Sequence, residues 1–273
     1  MSAPKIAPLT ALLLGLIVLA SCNDSDEDEK RPNNPSGTAQ SANQKPGQTT
    51  DAEEGEEGEE GPTPSTAVAA EKAAPQQTAG KQFAYNFDGD TTGQIPAKFH
   101  SAKTGGGTLE KWAVTADPTA PSKPNVVAQT STDQTDYRFP LLISDEGSFQ
   151  DLDVSVKFKA VSGSIDRAGG LVFRLKDPNN YYIVRANALE NNYRLYHVVN
   201  GRRSQFAGAN LKVTSGEWHQ LRVEATGNKI TCYYDGSKKI EATDETFKDA
   251  GKVGLWTKAD SVTYFDDLKV TAK

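Results

Sequence analysis

Cysteine is nearly absent from this 273-residue chain: Cys22 and Cys232 are the only two. No disulfide framework can be built from them, whatever compartment the protein occupies. Histidine is scarce as well. His100, His197 and His219 are scattered, with no His-Glu-x-x-His pair and no Gly-x-Ser-x-Gly elbow to suggest a metalloprotease or a serine hydrolase. Gly105-Gly106-Gly107 lacks a following Lys-Ser/Thr, so it reads as a loop and not as a phosphate cradle. The long apolar run, residues 6–20, falls short of the roughly 20 residues that span a bilayer. Between residues 23 and 80 there is no Phe, Tyr or Trp, and 13 acidic residues face four basic ones. Such a segment cannot bury enough apolar surface to offset its ordering entropy and is expected to be disordered. From Lys81 onward 25 basic residues stand against 23 acidic, which argues against a nucleic-acid partner.

What is present near the start points to processing. The apolar run follows Lys5 and closes on Leu19-Ala20-Ser21-Cys22, a pattern that resembles the lipobox of bacterial lipoprotein signal peptides. The resemblance implies removal of residues 1–21 and lipidation of Cys22, whose acyl chains would tie the protein stably to a membrane. Residues 22–80 then form an acidic linker with a reach of about 40 Å, extended further by its Glu-Glu-Gly repeats. The run Asn23-Asp24-Ser25-Asp26-Glu27-Asp28-Glu29 resembles the acidic export signal of surface lipoproteins in the Bacteroidetes. The expected location is the bacterial outer membrane, facing the periplasm or the cell surface.

Period-two alternation governs the remainder, residues 81–273, and no helical stripe competes with it. Leu152, Val154, Val156 and Phe158 alternate with Asp153, Ser155, Lys157 and Lys159, the signature of a strand with one buried face. Further strands follow from residue 171 to residue 270, separated by Asp177-Pro178-Asn179-Asn180, Asn191-Asn192, Asn200-Gly201, Gly227-Asn228 and Asp235-Gly236. Before residue 150 strands are expected at 83–87, 112–115, 125–130 and 137–143. Cys232 shares a face with Ile230 and Tyr234, as a buried small hydrophobe would. The fold class is therefore all-β, a sandwich or barrel. The order Trp218-His219-Gln220-Leu221-Arg222-Val223, Asn228-Lys229-Ile230 and Tyr234-Asp235-Gly236 resembles the later strands of concanavalin A-like jelly rolls, including laminin-G-like domains. Gly170-Leu171-Val172-Phe173-Arg174, the stretch from Asn179 to Asn187 and Gly251-Lys252-Val253-Gly254-Leu255-Trp256 look like a bacterial branch of that superfamily, the 3-keto-disaccharide hydrolase-like domains. The resemblance implies a concanavalin A-like jelly-roll β-sandwich after the acidic tether. It leaves function open, because that sandwich serves lectins, glucanases and adhesive modules alike.

Two constellations could carry chemistry. Alternation places Arg185 and Asn187 on one face with Tyr181 and Ile183. With Arg174, Arg194, Tyr196 and Trp256 they would form a ligand-binding patch for sugar hydroxyls or carboxylates. Asp88 and Asp90 near the start of the domain, and Asp266 and Asp267 near its end, would meet if the first and last strands pair, and such oxygen ligands suit a structural Ca²⁺. Laminarinase-type relatives carry Glu-x-Asp-x-Glu along one strand; the nearest match here, Asp151-Leu152-Asp153, lacks glutamate. No catalytic residue is assigned. The expected function is a lipid-anchored cell-envelope module that binds a carbohydrate, held to the membrane through Cys22. The alternatives are a glycoside hydrolase acting on a keto-disaccharide or related sugar, and a structural or adhesive envelope protein.

Overall fold

A computed structural model describes residues 81–273. The expected signal peptide, Cys22 and the acidic tether lie outside the described residues. The described residues form fifteen strands: β1 (Gln82–Tyr85), β2 (Phe99–Gly105), β3 (Trp112–Ala116), β4 (Asn125–Gln129), β5 (Arg138–Ser144), β6 (Leu152–Ser162), β7 (Ala168–Asp177), β8 (Asn180–Asn187), β9 (Asn192–Val199), β10 (Arg202–Asn210), β11 (His219–Thr226), β12 (Lys229–Tyr234), β13 (Ser237–Thr243), β14 (Lys252–Trp256) and β15 (Val262–Ala272). They make two antiparallel sheets. One runs β13-β12-β11-β6-β15-β4-β3, with β1 also paired to β15; the other runs β10-β9-β8-β7-β14-β5-β2.

The alternation of β6 does what its sequence demands. Leu152, Val154, Val156 and Phe158 are fully buried against Leu171, Phe173, Tyr182, Val184 and Leu195 of the facing sheet. Truncating Phe158 to Ala would cost about 3–5 kcal/mol, the usual price of a large core cavity. Cys232 joins this core, fully buried, and burial pushes its thiol well above the ordinary range. The seven-stranded sheet buries apolar side chains on its outer face too. Phe139, Leu141, Ile143, Val172, Ile183, Val198 and Trp256 form a second cluster there. Three strands, β2, β10 and β13, were not anticipated; their sequences mix polar residues without a clean period of two.

At Arg174 the expected alternation breaks. Phe173 pairs with Tyr182 and Asp177 with Asn180, so three residues of β7 bulge opposite Tyr181. Arg174 takes a left-handed φ of 49°. The approach of the neighbouring strand allows only glycine opposite it, since a Cβ on Gly251 would lie 2.4 Å from the Arg174 carbonyl carbon. The bulge moves Leu175 into the outer cluster while Phe173 stays in the inner one.

Candidate functional site

The outer face of the seven-stranded sheet carries a polar cluster set into its apolar second core. β8 supplies Arg185, buried to 1% exposure. Its Nη1 donates to Glu190 Oε2 (3.0 Å) and Asn192 Oδ1 (2.9 Å), and its Nη2 donates to the same Glu190 oxygen (3.0 Å) and to Tyr196 Oη (3.0 Å). Burial disfavours the charge, but Tyr196, Asp166 and Glu190 around it hold the guanidinium above its ordinary pKa. Asn187, two residues along on the same face, folds the turn between β8 and β9. Its Oδ1 accepts the N–H groups of Leu189 (2.9 Å) and Glu190 (3.4 Å), and its Nδ2 donates to Asp166 Oδ1 (3.1 Å).

Asp166 sits in the loop between β6 and β7. Gly163, at φ 143°, lets that loop close, for a Cβ there would lie 1.9 Å from the Asp166 carbonyl oxygen. Asp260 fastens it by accepting the N–H groups of Ser164 (2.7 Å), Ile165 (3.0 Å) and Asp166 (3.0 Å). The Asp166 carboxyl is fully buried, 3.5 Å from Lys258 Nζ, and its Oδ2 accepts no hydrogen bond. Burial raises its pKa, with Arg185 and Lys258 opposing. Beside these groups Arg203 of β10 lies over three rings, with its guanidinium carbon 4.5 Å from the centroid of Tyr196, 4.7 Å from Phe139 and 5.7 Å from Trp256. Phe139 and Trp256 stack at 5.2 Å beneath it.

Six of the seven residues expected to bind a ligand share this face. Arg185, Asn187 and Tyr196 belong to one hydrogen-bonded network. Arg194 pairs across from Arg185 in register and directs its Nη2 to Asn210 Oδ1 (2.7 Å). Tyr181 and Trp256 are fully buried beneath the face, and the Tyr181 hydroxyl is paired with Thr104 Oγ1 (2.8 Å). Arg174 is the exception. The bulge sends its fully buried guanidinium to Gln150 O (2.7 Å), Phe247 O (3.0 Å), Gly227 O (2.7 Å) and the carboxylate of Asp151 (3.4 Å), where it joins three loops. Glu190, Asn192, Arg203, Asp166 and Lys258 were not foreseen. One signal was available for Arg203: the Asn200-Gly201 hairpin turn folds β10 back on β9 and sets Arg203 opposite Val198.

The expected calcium ligands do not assemble. β1 does pair with β15, as anticipated. Asp266, however, is fully buried and accepts both Ser122 N (2.8 Å) and Ser122 Oγ (2.8 Å). Asp88 accepts Asn125 N (3.0 Å) and Asp90 accepts Ala97 N (2.9 Å), while Asp267 has a left-handed φ of 50°. Among the described residues no group of three or more His, Cys, Asp or Glu side chains is arranged to hold a metal ion. Asp88, Asp90 and Asp266 each accept a backbone N–H from elsewhere in the chain.

The two packed antiparallel sheets define an all-β sandwich. Residues 102–271 match the model of the 3-keto-alpha-glucoside-1,2-lyase-like domain, and the chain belongs to that family. No curated protein matches it. Among solved structures it is similar to a carbohydrate binding module from Bacillus subtilis (22% identity, 58% of this chain and 91% of that one, TM-score 0.48). It is similar also to a β-glucanase from Bacillus licheniformis (16%, 72% and 100%, TM-score 0.49). A third is domain 4 of an extracellular arabinanase from Geobacillus stearothermophilus, solved with arabinotriose (16%, 72% and 93%, TM-score 0.45).

Proposed function

We propose that this protein is a lipid-anchored envelope protein whose sandwich binds carbohydrate, without turnover, on the outer face of the seven-stranded sheet. One observation carries the reading: Arg185 and Arg203 converge on Tyr196 above the buried Phe139–Trp256 stack, so donor forks and aromatic rings are gathered at one place on this face. Sugars present hydroxyls on their rims and C–H groups on their faces, and such a site complements both. Glycan-array binding by the chain, compared with its Arg203→Ala variant, tests it. Loss of on the order of 10- to 100-fold in affinity is expected, and unchanged binding would place the site elsewhere. The anchor rests on the Leu19-Ala20-Ser21-Cys22 motif. Cys22→Ser is expected to abolish metabolic lipid labelling and release the protein from outer membranes.

A second reading, cleavage of a keto-disaccharide as the family description suggests, is favoured by Asp166, a buried carboxyl with a raised pKa and an oxygen free of hydrogen bonds. Release of free sugar from a 3-keto-disaccharide by the chain, lost in Asp166→Asn, would establish it over simple binding.

A further inference from the structure

Arg185 is a buried cation whose carboxylate partner comes from a solvent-facing turn. The Arg185 side chain is 2% exposed and that of Glu190 is 44% exposed. The match between them is incomplete. Both Nη groups spend a hydrogen on one Glu190 oxygen, Oε2, and the Nε–H, also buried, donates to nothing. A guanidinium offers five donors in a planar fork shaped for both oxygens of a carboxylate. The backbone of the turn is anchored independently of the Glu190 side chain. Asn191 accepts Leu211 N (3.1 Å) through its carbonyl and Val213 N (3.1 Å) through its Oδ1, and Ala188 N donates to Arg167 O (2.9 Å). Rotation about the side-chain bonds of Glu190, with release of its contacts, among them the hydrogen bond from Asn192 Nδ2 (2.7 Å), uncovers the fork.

We infer that the ligand is an acidic glycan, a uronate or related sugar acid, whose carboxylate displaces that of Glu190 from Arg185. The inference rests on the carbohydrate-binding reading. Charge supports it. Of the two carboxylates that act on Arg185, Asp166 does so through space while hydrogen-bonding Asn187, and Glu190 is the one that accepts directly from the guanidinium. A neutral sugar that pushed Glu190 aside would leave the buried guanidinium with Asp166 nearby but with no carboxylate accepting its hydrogens, and one that left Glu190 in place would not reach Arg185. A sugar acid substitutes charge for charge and can engage the second arm of the fork. Its ring would meanwhile lie beside Tyr196 and Arg203.

The test uses matched pairs: tetramers of galacturonate, glucuronate and mannuronate, each beside its carboxyl-reduced form, titrated calorimetrically into the full chain. At least one acid is expected to bind tenfold or more tightly than its reduced partner, a difference of about 1.4 kcal/mol. Glu190→Gln, which removes the competing charge, is expected to widen that ratio at least tenfold again. Equal binding of acid and reduced forms would overturn the inference and leave the carbohydrate reading standing. No binding of any tetramer by protein that melts cooperatively would count against both. Should Glu190→Gln fail to fold, the wild-type ratio alone decides.

Discussion

Replacing Arg174 with Met separates scaffold from binding site. Methionine keeps most of the length and packing of the stem but removes every donor. Three carbonyls, of Gln150, Gly227 and Phe247, lose a partner at 2.7–3.0 Å, and Asp151 loses a longer one. Hydrogen bonds from a charged donor contribute about 1.5–3 kcal/mol each, which would give a gross loss above 5 kcal/mol. Part of that returns, because burial already disfavours the Arg174 charge and depresses its pKa, and because Asp151 can be rehydrated. A net destabilisation of about 3–5 kcal/mol is expected, in line with the breaking of other buried ionic networks. For a domain of this size each kcal/mol lowers Tm by about 2–4 °C, so scanning calorimetry should find a drop of roughly 6–20 °C. Glycan affinity, measured well below that transition, should be unchanged. A variant that melts like the wild type yet no longer binds sugar would refute the assignment and return Arg174 to the ligand.

Three further outcomes follow from groups already described. Asp266→Ala is expected to lower stability by about 1–3 kcal/mol through the loss of its Ser122 bonds, with the same Tm in calcium and in chelator; a calcium-dependent rise in wild-type Tm that the variant abolishes would restore the metal site. The pKa of Asp166 is raised by burial, so its stabilising contribution is complete below the unfolded value of about 3.9 and is lost as pH climbs through the folded value. Asp166→Asn should accordingly melt above the wild type at pH 7, with the gap closing towards pH 4; a gap that is constant with pH would show that the carboxyl is ionised throughout. Cys232, buried and with its thiol pKa pushed up, should resist disulfide reagents until the protein is denatured, and fast labelling of the native state would contradict its place in the core.

The face shared by Tyr181, Ile183, Arg185 and Asn187 could be read from alternation because β8 is regular from end to end, and every residue keeps its side of the sheet. The same logic failed in β7, where a left-handed residue at position 174 resets the count. Nothing in the letters around Arg174 announces that bulge, which packs closely against Gly251, just before β14 and far along the chain. The surroundings of the expected calcium ligands were hidden for a related reason. The pairing of first and last strands was legible, but the partner that occupies Asp266 is Ser122, 144 residues away, and only the tertiary fold brings it there. Asp166 escaped notice because its burial depends on a loop closed by Asp260, again across some 94 residues.

The position of β15 has a consequence for the birth of the protein. This strand lies between β6 and β4 and also carries β1, so the eight-stranded sheet is joined through its last-synthesised member. β6 emerges about 100 residues earlier and, at translation rates of roughly 5–20 residues per second, waits on the order of 5–20 s for that partner. Over this interval one edge of a long apolar strand stays open, a template for pairing with any neighbouring chain. A message cut short before Val262 would leave the edge open permanently. Such fragments should appear as aggregates or degradation products and not as a smaller folded domain, so the sandwich is completed only when β15 is delivered.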